Sequence, residues 1–141
     1  CWLARRCSLA ALSRLNSLTI LEDATVPRPK LAEMVDRIDA IAARHELMIA
    51  TFGHAGDGNL HPTCVLDPDD AGAVDRAHKA FAEIFAAAVE LGGTITGEHG
   101  VGAAKLPYLA DRIGPEQVAL LRRIKSAFDP ARILNPGKLG S

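Results

Sequence analysis

No apolar run in this chain approaches the roughly 18 residues that a membrane-spanning helix needs, so no segment reads as one. Charge of either sign is not in excess. Sixteen basic and seventeen acidic residues leave a formal net charge of -1, which is not the footprint of a nucleic-acid binder. Cysteine is scarce: Cys1, Cys7 and Cys64 show no CxxC spacing and cannot all pair. They read as reduced thiols in a reducing compartment, with Cys64 in an apolar run as a core residue. Internal repeats and low-complexity segments are absent, and no internal domain boundary is visible. An initiator Met is also missing, which leads us to expect a processed chain or a piece of a longer one. The opening "CWLARRCSLAALSRLNSLTI" has three Arg and no acid before Glu22, as a mitochondrial transit peptide would. The plainer reading is an amphipathic helix with Leu9, Leu12 and Leu15 on one stripe.

What remains is a chain of 141 residues, 48% apolar, long enough for one domain with a real core. Residues 18–26 read as a strand closed by Pro27. A helix is expected over 31–45, where Leu31, Met34, Val35, Ile38, Ile41 and Ala42 keep the 3.6-residue period. Strands are expected at 47–52 and 60–66, the second placing His61, Thr63 and Val65 on one face. The glycine loop between them predicts a hairpin. Asp67 then reads as the N-cap of a helix running to about Leu91, with Pro68 at its first position. "GGTIT" reads as a short strand, Pro115 as the start of a last helix, and "FDPARILNPGKLGS" as an irregular tail. The order predicts an α+β fold: a ferredoxin-like βαββαβ sandwich with an antiparallel sheet and extra C-terminal helices.

Eight of the twelve glycines lie in two stretches, "FGHAGDGNLHP" and "LGGTITGEHGVG". The same stretches hold His54, His61 and His99, three of the five histidines. Glycine clustered around His and Glu suggests backbone bent to aim side chains. Nucleotide and calcium motifs fail on inspection. "GEHGVGAAK" has Ala103 where a P-loop needs Lys, "GVGAAK" lacks the last glycine of GxGxxG, and "DGN" lacks the acid ladder of a calcium loop. HExxH is absent. With no phosphate cradle left, the chain alone is not expected to hold a dinucleotide cofactor tightly.

Metal chemistry fits better. A hairpin turn brings His54 and His61 close, and neutral imidazole is a common ligand of zinc and similar ions. A carboxylate as third ligand would leave a position open for water or substrate. Asp57 and Glu98 are the candidates, Asp57 being the better turn-former. His99, beside Glu98, could serve as a base. Against this stands the commoner fate of loop histidines, which is to be surface or hydrogen-bonded residues. His45 and His78, each alone on a helix, read as structural.

"GHAGDGNLHP", "GGTITGEHGVG" and "FDPARILNPGK", with "EDATVPRPKL" and "WLARR", resemble the C-terminal cap domain of FAD-linked oxidases of the D-lactate dehydrogenase and glycolate oxidase type. The resemblance covers the chain from Trp2 to Lys138, so that residues 1–141 read as one cap domain. It implies an FAD-binding domain carried outside this chain. It also implies a small 2-hydroxy-acid substrate oxidised to the 2-oxo acid by hydride transfer to flavin. His54, His61 and Glu98 match positions that ligate a divalent metal, zinc or manganese; His99 matches the base. Arg5 matches the residue that binds the substrate carboxylate, although a solvated N-terminal Arg is the plain alternative. Asn135 matches a residue near the flavin ring. Leu21 stands where hydroxyglutarate enzymes of this kind carry Lys, which favours a monocarboxylate such as lactate or glycolate. The reading is compatible with a homodimer or partner subunits, and with a cytoplasmic protein, peripheral to a membrane or mitochondrial. Two other classes stay open: a metal-binding or assembly module without redox activity, and a small metallohydrolase in which His99 activates water.

Overall fold

The computed structural model describes residues 2–138, and their side chains apart from Trp2, Ala4 and Arg5. Cys1 lies outside the described residues. The chain packs as two compact units, one up to Glu98 and one from His99 onward.

The first unit opens with helix α1 (Trp2–Leu12), then strands β1 (Leu18–Leu21) and β2 (Ala24–Thr25). A 3-10 turn at Arg28–Lys30 leads into α2 (Leu31–Arg44), followed by β3 (Met48–His54), β4 (Asn59–Leu66) and α3 (Ala73–Glu90). β4 is the central strand. β3 pairs with one edge of it, and β1 and β2 with the other, all antiparallel. Beyond β2, Thr25 forms an antiparallel bridge with Thr94. Read across, Thr94, β1–β2, β4 and β3 follow the order of the expected α+β ferredoxin-like sheet.

Three local expectations need correction. The strand expected over 18–26 is broken in two without a change of register: Leu21 faces Thr63 and Ala24 faces Leu60. Glu22 N–H still donates to Pro62 O at 3.1 Å, but Pro62 has no N–H to return the bond, so the ladder stops there. The strand expected at "GGTIT" is reduced to the single Thr25–Thr94 bridge. The helix expected from Asp67 begins at Ala73 instead. Asp67 Oδ1 accepts from Asp69 N–H and Asp70 Oδ1 from Gly72 N–H, both at 2.9 Å, so these side chains make local turns in place of helix.

The core forms where α2 and α3 pack on each other and on the sheet. Met34 and Ile38 of α2 are fully buried, as are Ala77, Ile84 and Ala88 of α3. Burying each large side chain there contributes about 1.5–3 kcal/mol. On β4, Cys64 and Leu66 alternate with His61, Thr63 and Val65, and all five are buried. Cys64 and Leu66 therefore share one face of β4, while the other face carries a buried imidazole beside Thr63 and Val65.

In the second unit, α4 (Leu106–Ile113), which the sequence reading did not anticipate, turns through Gly114 into α5 (Pro115–Phe128). Gly114 has φ 85°, a conformation open to glycine at little cost. No residue of α5 is buried, and Phe128 is 83% exposed. Among the described residues no helix is long and apolar enough to cross a membrane.

Candidate metal centre

The β3–β4 hairpin makes the first half of the site. Asp57 and Gly58 N–H both donate to His54 O, at 3.2 and 3.0 Å, closing the turn. Gly58 takes φ 83°, and a Cβ there would lie 2.0 Å from Val26 O, so no other residue fits without a shift. Asp57 Oδ1 accepts from Asn59 N–H at 3.2 Å. It is the turn-former that the sequence suggested. Register pairs Phe52 with His61 and His54 with Asn59. Strand alternation then puts His54, at the end of β3, on the same face as His61 in β4. The two rings meet edge to face at 87°, centroids 5.3 Å apart. Phe52 tilts against His61 at 42°, centroid to centroid 5.6 Å. His61 is 4% exposed; His54 is half-buried.

The second half comes from the segment after α3. Thr94 N–H donates to Thr25 O at 2.8 Å, and Thr25 N–H returns a bond to Thr94 O at 3.0 Å. The chain then passes over Asp23, a carboxylate with no exposed surface. Asp23 Oδ2 accepts from Gly97 N–H at 2.6 Å and from Glu98 N–H at 2.8 Å; Thr96 Oγ donates to Asp23 Oδ1 at 3.1 Å. Glu98 Oε1 is thereby set 3.1 Å from His61 Nε2 and 3.4 Å from His54 Nε2. One ligand atom from each of His54, His61 and Glu98 lies within 4.8 Å of the other two. Ligands on one tetrahedral ion, bonded at about 2.0–2.2 Å, stand roughly 3.4 Å apart. Two imidazole nitrogens and a carboxylate suit zinc and several similar ions. The Glu98 side chain is 53% exposed, so the cluster is open to solvent on the carboxylate side.

His99, the next residue, is exposed and begins the second unit. Asn135 lies in that unit with φ 47°. It lines a cavity of about 560 Å³ together with Val101, Lys125, Phe128 and Leu134. Asp129 organises the turn before it, accepting from Ile133 N–H through Oδ1 and Leu134 N–H through Oδ2, both at 3.0 Å. The side chain of Arg5 lies outside the described residues. Sequence reasoning missed Asp23, Thr25 and Asn59. Thr25 Oγ donates to Asn59 Oδ1 at 3.3 Å, and these two side chains form the floor under Gly97. No sequence signal marks Asp23, because its burial depends on donors that arrive from residues 96–98, far along the chain.

A family model described as FAD linked oxidases, C-terminal domain, matches residues 1–139. The glycolate oxidase subunit GlcD of Bacillus subtilis (strain 168) is 57% identical over 96% of this chain and 29% of its own length. The D-lactate dehydrogenase of Anaerostipes hadrus is 38% identical over 98% of this chain and 29% of its own. That of Archaeoglobus fulgidus is 43% identical over 83% of this chain and 26% of its own. The chain spans less than a third of the length of these relatives.

Proposed function

The chain belongs to the C-terminal domain family of FAD linked oxidases, and on that premise we propose that residues 1–141 form the substrate- and metal-binding cap of an FAD-dependent 2-hydroxy-acid dehydrogenase. The observation that carries the proposal is the convergence of His54, His61 and Glu98 on one point. Relatives named glycolate oxidase and D-lactate dehydrogenase support a small 2-hydroxy acid as the substrate class. Leu21, an apolar residue opposite Thr63 on β4, supports a monocarboxylate, because it offers no cation to a second carboxylate.

His54, His61 and Glu98 hold a divalent metal, zinc or manganese. A bound metal would supply Lewis-acid chemistry toward the substrate hydroxyl, and flavin carried by another part of the protein would supply the hydride acceptor. His99 takes the proton from the substrate hydroxyl, the usual task of a positioned imidazole. Arg5 offers its guanidinium fork to the substrate carboxylate. Asn135 would help to hold the flavin, from the end of a segment fixed by Asp129. His61, buried against Phe52, is the rigid member of the ligand set; Glu98, half-exposed, is the side from which substrate enters. The protein acts in the cytoplasm, at a membrane periphery or in mitochondria, as a homodimer or with partner subunits.

The test uses the full-length protein. Metal analysis should find about one divalent ion per chain, lost in His54→Ala. Anaerobic addition of D-lactate or glycolate should bleach the flavin absorption in wild type and leave it unchanged in His54→Ala. Metal without any flavin absorption would favour the metallohydrolase reading. Flavin bleached normally in a metal-free His54→Ala protein would end the proposal.

A further inference from the structure

Asp23 is not part of the candidate ligand set, yet it is the most deeply buried carboxylate in the first unit, with no exposed surface. Burying an ionised carboxylate is costly unless donors surround it. Three of its donors come from one short segment, the one that carries Glu98. The Thr96 hydroxyl reaches both carboxylate oxygens, at 3.1 and 3.3 Å. Gly97 N–H and Glu98 N–H share Oδ2 at 2.6 and 2.8 Å. Three consecutive residues are thus fastened to one side chain. The segment is also pressed flat from below. A Cβ on Gly97 would stand 2.4 Å from Thr25 Oγ1 and 2.6 Å from Asn59 Cγ, so the backbone lies directly on the strands that carry the histidines.

The Glu98 side chain is 53% exposed, and its segment follows a bridge of one residue pair, not a full strand. A half-exposed carboxylate on a loop loses rotamer freedom when it is fixed beside two imidazoles. Fixing the backbone of Glu98 in advance reduces that cost. We infer that Asp23 is a positioning residue for Glu98: through the N–H groups of Gly97 and Glu98 it sets the carboxylate opposite His54 and His61, and so sets the metal affinity of the cluster. The inference rests on the metal reading proposed above. It also gives a reason for the break between β1 and β2. Asp23 sits in that break, where it leaves the ladder and turns to the 96–98 segment.

The test is a double-mutant cycle on the full-length protein, read by calorimetric titration of Mn²⁺ and Zn²⁺ into the metal-stripped form. Folding is checked by circular dichroism. Asp23→Ala should weaken metal binding about 10–100-fold, the usual effect of losing a partner that orients a ligand. Asp23→Asn, which keeps one acceptor oxygen for the two N–H groups, should lose less. In a Glu98→Ala background, Asp23→Ala should cost nothing further, because its route to the metal is gone. A folded Asp23→Ala with wild-type affinity would overturn the inference. So would an equal loss with and without Glu98, since that is the mark of a general structural role. If Asp23→Ala does not fold, Asp23→Asn carries the same cycle: a small loss that vanishes without Glu98 is expected, and no loss overturns it. Failure of the metal reading itself looks different, because His54→Ala would then bind metal as well as wild type.

Discussion

The imidazoles of His54 and His61 meet edge to face, planes 87° apart and centroids separated by 5.3 Å. The edge-on arrangement lets each present Nε2 to Glu98 Oε1.

The proposed roles divide the labour among neighbours, and substitution in the full-length protein should reveal it. His54→Ala, His61→Ala and Glu98→Ala should each lose metal by more than the roughly 10–100-fold typical of an outer partner, and turnover with it. His99→Ala should keep its metal and lose turnover by about 10²–10⁴, the contribution of a positioned base. Metal analysis beside steady-state kinetics separates the two outcomes. A metal-free His99→Ala, or one with normal turnover, would show the roles to be misassigned.

Two glycines of the same sequence stretches should respond oppositely to Ala. At Gly97 a Cβ would collide with Thr25 Oγ1 and Asn59 Cγ at 2.4 and 2.6 Å. Relieving that overlap should cost about 1–3 kcal/mol, as overpacking usually does, and should weaken metal binding by lifting Glu98. At Gly56 nothing lies within 4 Å, so Gly56→Ala should stay within about 0.5 kcal/mol of wild type. Thermal unfolding with and without Mn²⁺ measures both. Equal effects at the two positions would contradict the close approach at Gly97.

How much of this was legible in the sequence depends on the range of the interaction. Period and hairpin chemistry are local, so α2, β3, β4 and α5 lie close to where the pattern put them. Asp57 in its turn is local in the same sense. The break at Glu22 and Asp23 was not legible, because it depends on Pro62 in a partner strand and on donors that arrive with residues 96–98. Asp67 misled because a side-chain turn and an N-cap use the same residue types. Residues 92–96 misled because β-branched Thr94, Ile95 and Thr96 look like a strand. Only Thr94 bridges, while Thr96 spends its hydroxyl on Asp23. His54 and His61 could be read as neighbours because the glycine-rich stretches advertise bent backbone; Glu98 could be read only through the family resemblance, since Asp57 was open beside it. The residue that holds Glu98 in place could not, since a lone acid after a strand looks like any surface acid until its burial is known.

Cysteine reactivity gives a third prediction. Cys7 is exposed, whereas Cys64 is fully buried on β4. Burial pushes the Cys64 thiol up from the usual 9.0 to about 11, with the Arg76 guanidinium pulling weakly the other way. Because the thiolate is the nucleophile, iodoacetamide at pH 8 should label Cys7 and spare Cys64 until the protein is denatured. The sign for stability follows from the raised value. Above pH 9 the unfolded thiol ionises first, so stability should fall as pH rises from about 9 to about 11. Peptide mapping by mass spectrometry reads the labelling, and rapid native labelling of Cys64 would contradict its burial.

The last prediction concerns the segment that presents Asn135. Asp129 is 4% exposed. Its carboxyl is held below the ordinary 3.8, first by the Lys125 ammonium bonded to it and then by the Leu134 and Ile133 N–H groups, against the opposing effect of burial. Lys125 Nζ also donates to Leu134 O at 2.7 Å, so one ion pair ties both ends of the turn. A carboxyl whose folded value is depressed contributes stability above its unfolded value. That contribution is lost as pH falls through the folded one. The turn over 129–134 should therefore stay closed through neutral and mildly acidic pH and open only below the ordinary carboxylate range. Amide hydrogen exchange at Ile133 and Leu134 is the direct measure. In Asp129→Asn the charge on the acceptor is gone, so protection at neutral pH should drop and its acid dependence should flatten. Lys125→Met should have a similar but smaller effect, because it removes the ammonium and leaves the two backbone donors. Because Asn135 follows directly, with φ 47°, the same substitutions should disturb whatever that residue faces. If the flavin reading is right, Asp129→Asn should shift the flavin absorption of the full-length protein while metal content stays at wild-type level. Full protection retained in Asp129→Asn at neutral pH would show that the turn is held by something other than this carboxylate.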